Sequence, residues 1–365
     1  MSKMKIWRVA VIGCGSFACG QYLPNISKEA NAVCVAVADI IYERATAAAE
    51  RFGVPNAYHD VYELIEKCEF DIAIDAASIQ AHHEINTAIL RAGKHLISQK
   101  PAAPTVREFR EQTELASKAG VKFACVPIHP MRYDLNIAGQ MLRDGTIGNP
   151  TYIKCNLAHG GPEYFQYRDA DPSWFYEDGA GALVDMGVHG LQIVTTVFGP
   201  VRRFSCLGTV TTPRRTVRSG AFDGKEIVAD RIPDQYLILL EFVNGRVGFV
   251  DTGFSQKASR APQLEIFGDA GTICISKNYM DNLPPEVYLD APERGIRGWI
   301  TPMKWTTVPE KLNSQCCCLR DLIRSIESDT DPVLSPAHAC HVLDIMCRIP
   351  EAIRTGGWVE TETAF

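Results

Sequence analysis

An α/β fold with a doubly wound parallel sheet, joined to an α+β domain on a largely antiparallel sheet, is what the pattern of this chain predicts. Three observations carry that expectation. Short apolar runs alternate with helix-like stretches as far as residue 126, and a glycine-spaced turn links the first run to its helix. From residue 151 onward, runs rich in β-formers follow one another, two of them joined by Asn244-Gly245, a strong hairpin signal. At 365 residues the chain is long enough for two domains, expected at 1–127 and 128–365.

Residues 8–12 form the first apolar run, and Gly13-Cys14-Gly15-Ser16-Phe17-Ala18 follows it ahead of a helical stretch towards Ile26. A strand, a G-x-G-x-x-A turn and a helix in that order are the context in which such a glycine motif has meaning. Gly13 permits the tight turn, Gly15 lets the backbone approach a pyrophosphate, and Ala18 keeps helix and strand close. Ser16 and Phe17 complete the turn, and the helix N-terminus favours phosphate charge. A second apolar run, 32–38, ends in Asp39, roughly 20 residues after Ala18, where a carboxylate accepts from both hydroxyls of an adenosine ribose. That carboxylate repels a 2′-phosphate, and Ile40 and Ile41 bring no cation, which favours NAD over NADP. Arg44, one helical turn further, reads as a solvated face.

The alternation continues with a helix holding Ala45 and Phe52 that Gly53 and Pro55 stop, a helix over 62–67 and a strand over 70–76. Then come a helix over 81–92, a strand holding Leu96 and Ile97, a helix over 106–119 and a strand over 121–126. The strand with Leu96 and Ile97 runs into Ser98-Gln99-Lys100-Pro101. Pro101 steers Lys100 away from the helical region, so its ammonium is expected at the carboxyl edge of the sheet, where ligands of open α/β sheets bind. Ser78 falls on the same edge. His82 and His83 open the helix that follows; lining the nicotinamide side and packing at a helix start are both open readings for them.

In the second half a helix over 135–144 ends at Gly145, and strands are expected over 151–157, 202–210, 236–242, 246–252, 263–267 and 272–275. Between the first two lies the segment Gly181-Ala-Leu-Val-Asp185-Met-Gly187-Val-His189. Asp185 and His189 are four residues apart, so both project from one face of a helix whose first turn suits a carboxylate. An acid and a histidine on an otherwise apolar helix suggest chemistry. Ahead of it, Tyr164, Phe165, Tyr167, Arg168, Trp174, Phe175 and Tyr176 form an aromatic loop suited either to stacking on a sugar ring or to core and dimer contacts. Two terminal helices, 313–328 and 335–354, are expected to pack back.

Composition narrows the partners. A formal net charge of −6 argues against nucleic acid. No run approaches the length of a membrane span, and the N-terminus enters a strand without a cleavable apolar segment, which suggests the cytoplasm. The 13 cysteines contain no Cys-x-x-Cys pair, so no metal is expected, and free thiols fit a reducing compartment.

With these residues in hand, the chain resembles the glucose-fructose oxidoreductase/inositol dehydrogenase/MocA family. The resemblance rests on the Gly13-x-Gly15-x-x-Ala18 turn, Asp39, Ala92-Gly-Lys-His95 through Lys100-Pro101, Met131-Arg132-Tyr133, and Gly181-Ala-Leu-Val-Asp185-x-Gly187-x-His189. It implies an N-terminal Rossmann domain, a C-terminal open-faced sheet that makes homo-oligomer contacts, and a site formed by both. It further implies a cofactor set including Ser78, His83, Gln99 and Lys100, and substrate contacts at Arg132, Tyr164, Trp174, Asp185 and His189. Gln99 replaces the family's usual glutamate, and Ile79 stands where a proline is common.

The expected activity is hydride transfer between nicotinamide and a secondary alcohol of a sugar, a glycoside (at C3 of a pyranoside, for instance) or a cyclic polyol of the inositol kind. His189 is expected to take the hydroxyl proton, Lys100 to stabilise the charge developing on that oxygen, and Asp185 to orient the substrate or fix the histidine. A reading of another class is a non-catalytic NAD-sensing or scaffold protein, which predicts erosion of the Lys, Asp and His set.

Overall fold

A computed structural model of the chain describes residues 5–165, 170–276, 284–302 and 316–365. The chain divides into two compact units, Met1–Ile128 with Asn313–Cys340, and His129–Leu312 with His341–Phe365. The second domain, expected as the unbroken segment 128–365, is thus interrupted by a stretch that groups with the first.

In the first unit, β1 (Trp7–Ile12), β2 (Ala32–Ala38), β3 (Asn56–Tyr58), β4 (Ile72–Asp75), β5 (His95–Ser98) and β6 (Phe123–Cys125) form a sheet in the order β3-β2-β1-β4-β5-β6. Every pairing is parallel. Runs such as Ile72-Ala-Ile are wholly buried, as a sheet covered on both faces requires. Register explains why the site forms at one edge. Ala38 lies beside Ile12, Ile12 beside Asp75, Asp75 beside Ser98 and Ser98 beside Cys125. Five strands therefore end level, and the glycine turn, Asp39, the 76–78 loop and Lys100 all leave from the same carboxyl edge, flanking the point where strand order reverses.

The connecting helices are α1 (Leu23–Ile26), α2 (Tyr42–Phe52), α3 (Val61–Lys67), α4 (His82–Arg91) and α5 (Val106–Ala119). Their ends follow local chemistry. Asp60 accepts from the Tyr62 and Glu63 backbone N–H groups at the start of α3, and Thr105 caps α5 by accepting from Glu108 N–H. The single helix expected after the glycine turn is instead a π-helical turn, Ala18–Tyr22, followed by α1. Pro24 is the reason: lacking an N–H, it fits in the first turn of α1 and not inside a longer helix.

The second unit holds α6 (Tyr133–Arg143), β7 (Pro150–Ala158), α7 (Val188–Phe198), β8 (Val201–Thr209), β9 (Arg214–Thr216), β10 (Glu226–Val228), β11 (Gln235–Phe242) and β12 (Val247–Gly253). It continues with β13 (Leu264–Gly268), β14 (Gly271–Ile275), β15 (Glu286–Ala291), β16 (Ile296–Ile300) and β17 (Val359–Glu360). Nine of these strands form one sheet, β16-β15-β14-β13-β7-β12-β11-β8-β17, antiparallel except where β12 runs parallel to β7. Asn244-Gly245 makes the expected hairpin between β11 and β12, with Gly245 at φ 81°. Along β11, Tyr236, Ile238, Leu240 and Phe242 point into the core, while Leu237 and Leu239 remain exposed on the other face.

Two helices close the chain, α8 (Cys317–Ser328) and α9 (Pro336–Thr355). Helix α8 belongs to the first unit because Leu319, Leu322 and Ile323 are buried there, with Glu327 accepting from the Trp7 indole (3.1 Å) and Arg320 paired with Glu29 (3.2 Å). Ile345, Ile349 and Ala352 of α9 join the core of the second unit, where His341 accepts from Val201 N–H.

A buried ion cluster ties β9 to the loop that precedes α7. Arg215 donates to Glu163 (2.7 Å), Asp234 (2.6 Å) and the Phe254 carbonyl (3.1 Å), and the Tyr176 hydroxyl donates to Glu163. Burial pushes the Tyr176 phenol upward, with Glu163 adding to it, so the tyrosine stays a neutral donor. Arg215→Met should destabilise the protein by about 3–5 kcal/mol, because two buried carboxylates lose their cation; denaturant unfolding measures it, and a change below about 1 kcal/mol would contradict the assignment. Burial works against the charge on Asp234, but hydrogen bonds from Thr211, Arg215 and Thr212 outweigh it and hold its pKa below the ordinary value. Its contribution is therefore present above the unfolded-state value of 3.8 and is lost as pH falls through the lower folded value.

Candidate active site

The glycine turn has the shape its sequence implies. Gly13 sits at φ 87°, and a Cβ there would come within 2.6 Å of the Ala76 and Ala77 backbone, so only glycine lets this turn lie against the β4 exit. A Cβ on Gly15 would meet no atom within 4 Å. That open space before a main-chain turn is what a pyrophosphate needs. Asp39 is buried, its Oδ2 accepting from Cys14 N–H and its Oδ1 from Ile41 N–H, each at 2.8 Å. Each oxygen keeps a second lone pair, so the carboxylate is held in place and can still accept from a ribose. Burial and then the Asp39 charge push the Cys14 thiol up to about 12, so it stays a neutral thiol, its Sγ 3.7 Å from the Ala38 carbonyl. Ser16 and Ser78 are exposed, and Phe17 lies edge-on against Tyr22 at 5.8 Å. The residues present fit a bound dinucleotide.

The loop carrying Lys100 is pinned from behind. Asn86 donates to Ser98 Oγ (2.9 Å) and to the Ala102 carbonyl (3.0 Å), and Gln112 donates to that same carbonyl (2.9 Å). Gln99 donates to the Tyr22 hydroxyl at 2.6 Å, which ties the end of β5 to the segment after the glycine turn. Lys100 itself is half-buried, and the Lys100–Pro101 bond is cis. Of the two histidines on α4, His82 is buried with Nδ1 2.6 Å from Asp75 Oδ2. His83 is half-buried, and its Nδ1 accepts from Gln112 at 3.2 Å. Asn86 and Gln112 were not among the sequence candidates; their signal is an uncharged amide on the buried face of an otherwise apolar helical pattern.

In the second unit, Leu183–Gly187 is a π-helical turn leading into α7, an irregularity that recurs at functional sites. Gly190 lets this segment lie close on β12, because a Cβ there would come within 2.8 Å of Val250, and a Cβ on Gly187 would crowd Leu183 of the same turn at 2.7 Å. Asp185 and His189 find different neighbours. The Asp185 carboxylate lies 3.8 Å from His159 Nε2. His189 Nδ1 lies 2.9 Å from His129 Nε2, the rings meeting edge to face.

His129 and His159 are the site residues that sequence reasoning missed. His159 accepts from Gly161 N–H through Nδ1 and stacks on Phe254 at 5.0 Å, which leaves Nε2 as the nitrogen turned to Asp185. Arg132, expected among the substrate contacts, is buried, and the groups it meets are protein groups. Its Nε and Nη2 fork onto Asp134 (3.0 and 2.5 Å), and Nη1 donates to Gln263 (2.6 Å) and His129 (3.4 Å). The aromatic loop divides: Phe175 and Tyr176 enter the core, while Trp174 and Tyr164 are half-buried, Trp174 stacked on Phe175 and Tyr164 beneath the Arg218 guanidinium. Tyr167 and Arg168 lie outside the described residues.

Fold and cofactor edge define an oxidoreductase with an NAD-binding Rossmann domain. Residues 7–126 match the family described as "Oxidoreductase family, NAD-binding Rossmann fold" and residues 136–274 the "GFO/IDH/MocA C-terminal domain". The chain belongs to the Gfo/Idh/MocA family. It is 26% identical over 310 residues to a D-apiose dehydrogenase of Paraburkholderia graminis, covering 84% of this chain and 76% of that one. It is 23% identical over 331 residues to a myo-inositol 2-dehydrogenase of Thermotoga maritima, 90% of each. A solved levoglucosan dehydrogenase, in complex with NADH and L-sorbose, superposes with a TM-score of 0.80 at 22% identity over 98% of this chain and 99% of that one. Among the described residues no helix is long and apolar enough to cross a membrane.

Proposed function

We propose that this oxidoreductase uses NAD, in preference to NADP, to interconvert a secondary alcohol and a ketone on a polyhydroxylated ring: a sugar, a glycoside or a cyclic polyol. The observation that carries the reading is the joint presence of a lysine pinned at the carboxyl edge of an NAD-binding sheet and a histidine on α7 whose Nδ1 is engaged by the protein. Relatives acting on D-apiose and myo-inositol support the substrate class. When bound, the nicotinamide takes up or gives back the carbon-bound hydride.

The chain's own groups handle the oxygen. His189 takes the hydroxyl proton in the oxidative direction. The Lys100 ammonium stabilises negative charge as it grows on a substrate oxygen. Asp185, with His159 3.8 Å away, receives a neighbouring hydroxyl, since a polar gap of that length suits one bridging oxygen. Trp174 and Tyr164 supply apolar ring surface. Intact Lys100, Asp185 and His189 disfavour a sensor or scaffold role. Incubation with NAD and a panel of aldoses, glycosides and inositols should give a keto product by mass spectrometry, sought also in denatured protein in case the cofactor is retained. No keto product from any member would remove this reading.

Asp39 sets the nucleotide. In Asp39→Ala the NAD dissociation constant should rise by about tenfold or more, roughly the worth of one charged hydrogen-bond pair, and the margin over NADP should shrink. Calorimetric titration with both nucleotides measures this, and an unchanged NAD affinity would contradict the role. Exposed Leu207, Leu237, Leu239 and Val247 on the open face of the large sheet support a homo-oligomer formed through it, to be checked by sedimentation velocity, where a monomer would exclude it. The 13 cysteines and the formal net charge of −6 suit a cytoplasmic enzyme with small-molecule substrates.

A further inference from the structure

A line of contacts runs through the second unit from an exposed guanidinium to the Asp185 carboxylate. The Arg218 guanidinium lies 4.9 Å from the centre of the Tyr164 ring, and Tyr164 meets Phe165 edge to face at 5.0 Å. Phe165 meets His159 in the same way at 5.6 Å, and His159 Nε2 is 3.8 Å from Asp185. The far end of this line is fixed. Arg218 N–H donates to the carbonyl of buried Glu163 (3.1 Å), whose carboxylate accepts from Arg215 and Tyr176. A Cβ on Gly160 would come within 2.9 Å of the Tyr164 ring, so Tyr164 is set by contact with bare backbone and with a cation.

Phe165 is unlike its neighbours in the aromatic loop: Phe175 and Tyr176 are buried, whereas Phe165 is 44% exposed while held edge-on against two rings. A hydroxyl received at Asp185 lies one imidazole away from that exposed ring. A free sugar or an inositol carries hydroxyls on the neighbouring carbons, and against Phe165 these lose water without gaining a partner. An aryl or alkyl group on a glycosidic oxygen instead covers the ring and removes apolar surface from water. We propose that Phe165 contacts the substrate and selects glycosides with an apolar aglycone, and that Arg218, acting through Tyr164, is its positioning residue. This rests on the role proposed above for Asp185 as acceptor of a sugar hydroxyl.

The test measures binding without turnover. Calorimetric titration of the NADH-saturated protein, in which an alcohol cannot be oxidised, compares phenyl with methyl β-D-glucopyranoside and the same pair of galactopyranosides. In at least one pair the phenyl glycoside should bind about tenfold more tightly, the worth of covering part of one aromatic ring. Phe165→Ala should bring that ratio below about twofold with methyl-glycoside affinity little changed, and Phe165→Tyr, which keeps the ring, should preserve it. Arg218→Leu should lower the ratio by about threefold, and Arg218→Lys, which keeps a cation for Tyr164, should restore it. A phenyl glycoside bound no more tightly than its methyl partner in both pairs, absence of binding by all four, or a ratio unchanged in Phe165→Ala overturns the selection. A ratio unchanged in Arg218→Leu overturns the positioning role. Failure of the Asp185 role would appear differently, as undiminished binding of the methyl glycosides in Asp185→Ala.

Discussion

Replacing His189 with alanine is expected to lower kcat by about 10²–10⁴-fold, the range over which a positioned general acid or base accelerates proton transfer. KM and NAD affinity should change little. The loss should exceed that of any other single substitution on α7, because His189 is the imidazole that this helix carries, with its Nδ1 held 2.9 Å from His129 Nε2. Steady-state kinetics on whichever ring substrate the product screen identifies will measure it. A His189→Ala enzyme within tenfold of wild type would place the proton transfer elsewhere.

Lys100→Met should have the second largest effect, a fall in kcat of about 10²–10³-fold, comparable to removing one oxyanion donor. Methionine keeps the stem and removes the charge, so the loop held by Asn86, Gln112 and Gln99 should keep its shape. NAD binding, followed by fluorescence quenching, separates two explanations. Retained affinity with lost turnover supports charge stabilisation at the substrate oxygen. Affinity that collapses in step with activity would make Lys100 a cofactor anchor only.

The parts of this fold and site that sequence reveals are those whose function depends on local spacing. Gly13, Gly15 and Ala18 do their work within one turn, and Asp39 at the end of the adjacent strand, so residue type and interval suffice to find them. Lys100 was visible because Pro101 fixes the backbone beside it. Asp185 and His189 were visible because acid and imidazole stand out on an apolar helix, yet spacing predicted a shared face and said nothing of their partners, which are His159 and His129. Periodicity reports which face is buried; it is silent on what a buried polar group touches. Arg132 shows the same limit, since the resemblance implied a substrate contact there and spacing said nothing of its fork onto Asp134.

Strand β3 escaped notice because its three residues are half-exposed and form no apolar run, and β17 because it is two residues long. Interruption of the second domain by 313–340 was likewise hidden: the buried face of α8 is apolar in sequence whichever unit it packs on, and its salt bridge to Glu29 joins residues far apart in the chain.

Isotope transfer reaches the central claim most directly. The protein is mixed with NAD and a ring substrate deuterated at every carbon-bound position, the mixture is denatured to free any retained cofactor, and the nicotinamide is weighed by mass spectrometry. One deuterium on the reduced nicotinamide in wild type, and none above background in His189→Ala or Lys100→Met over the same interval, is the predicted result. Unlabelled nicotinamide from the wild type with every sugar, glycoside and cyclitol offered, or equal labelling in all three proteins, would contradict it.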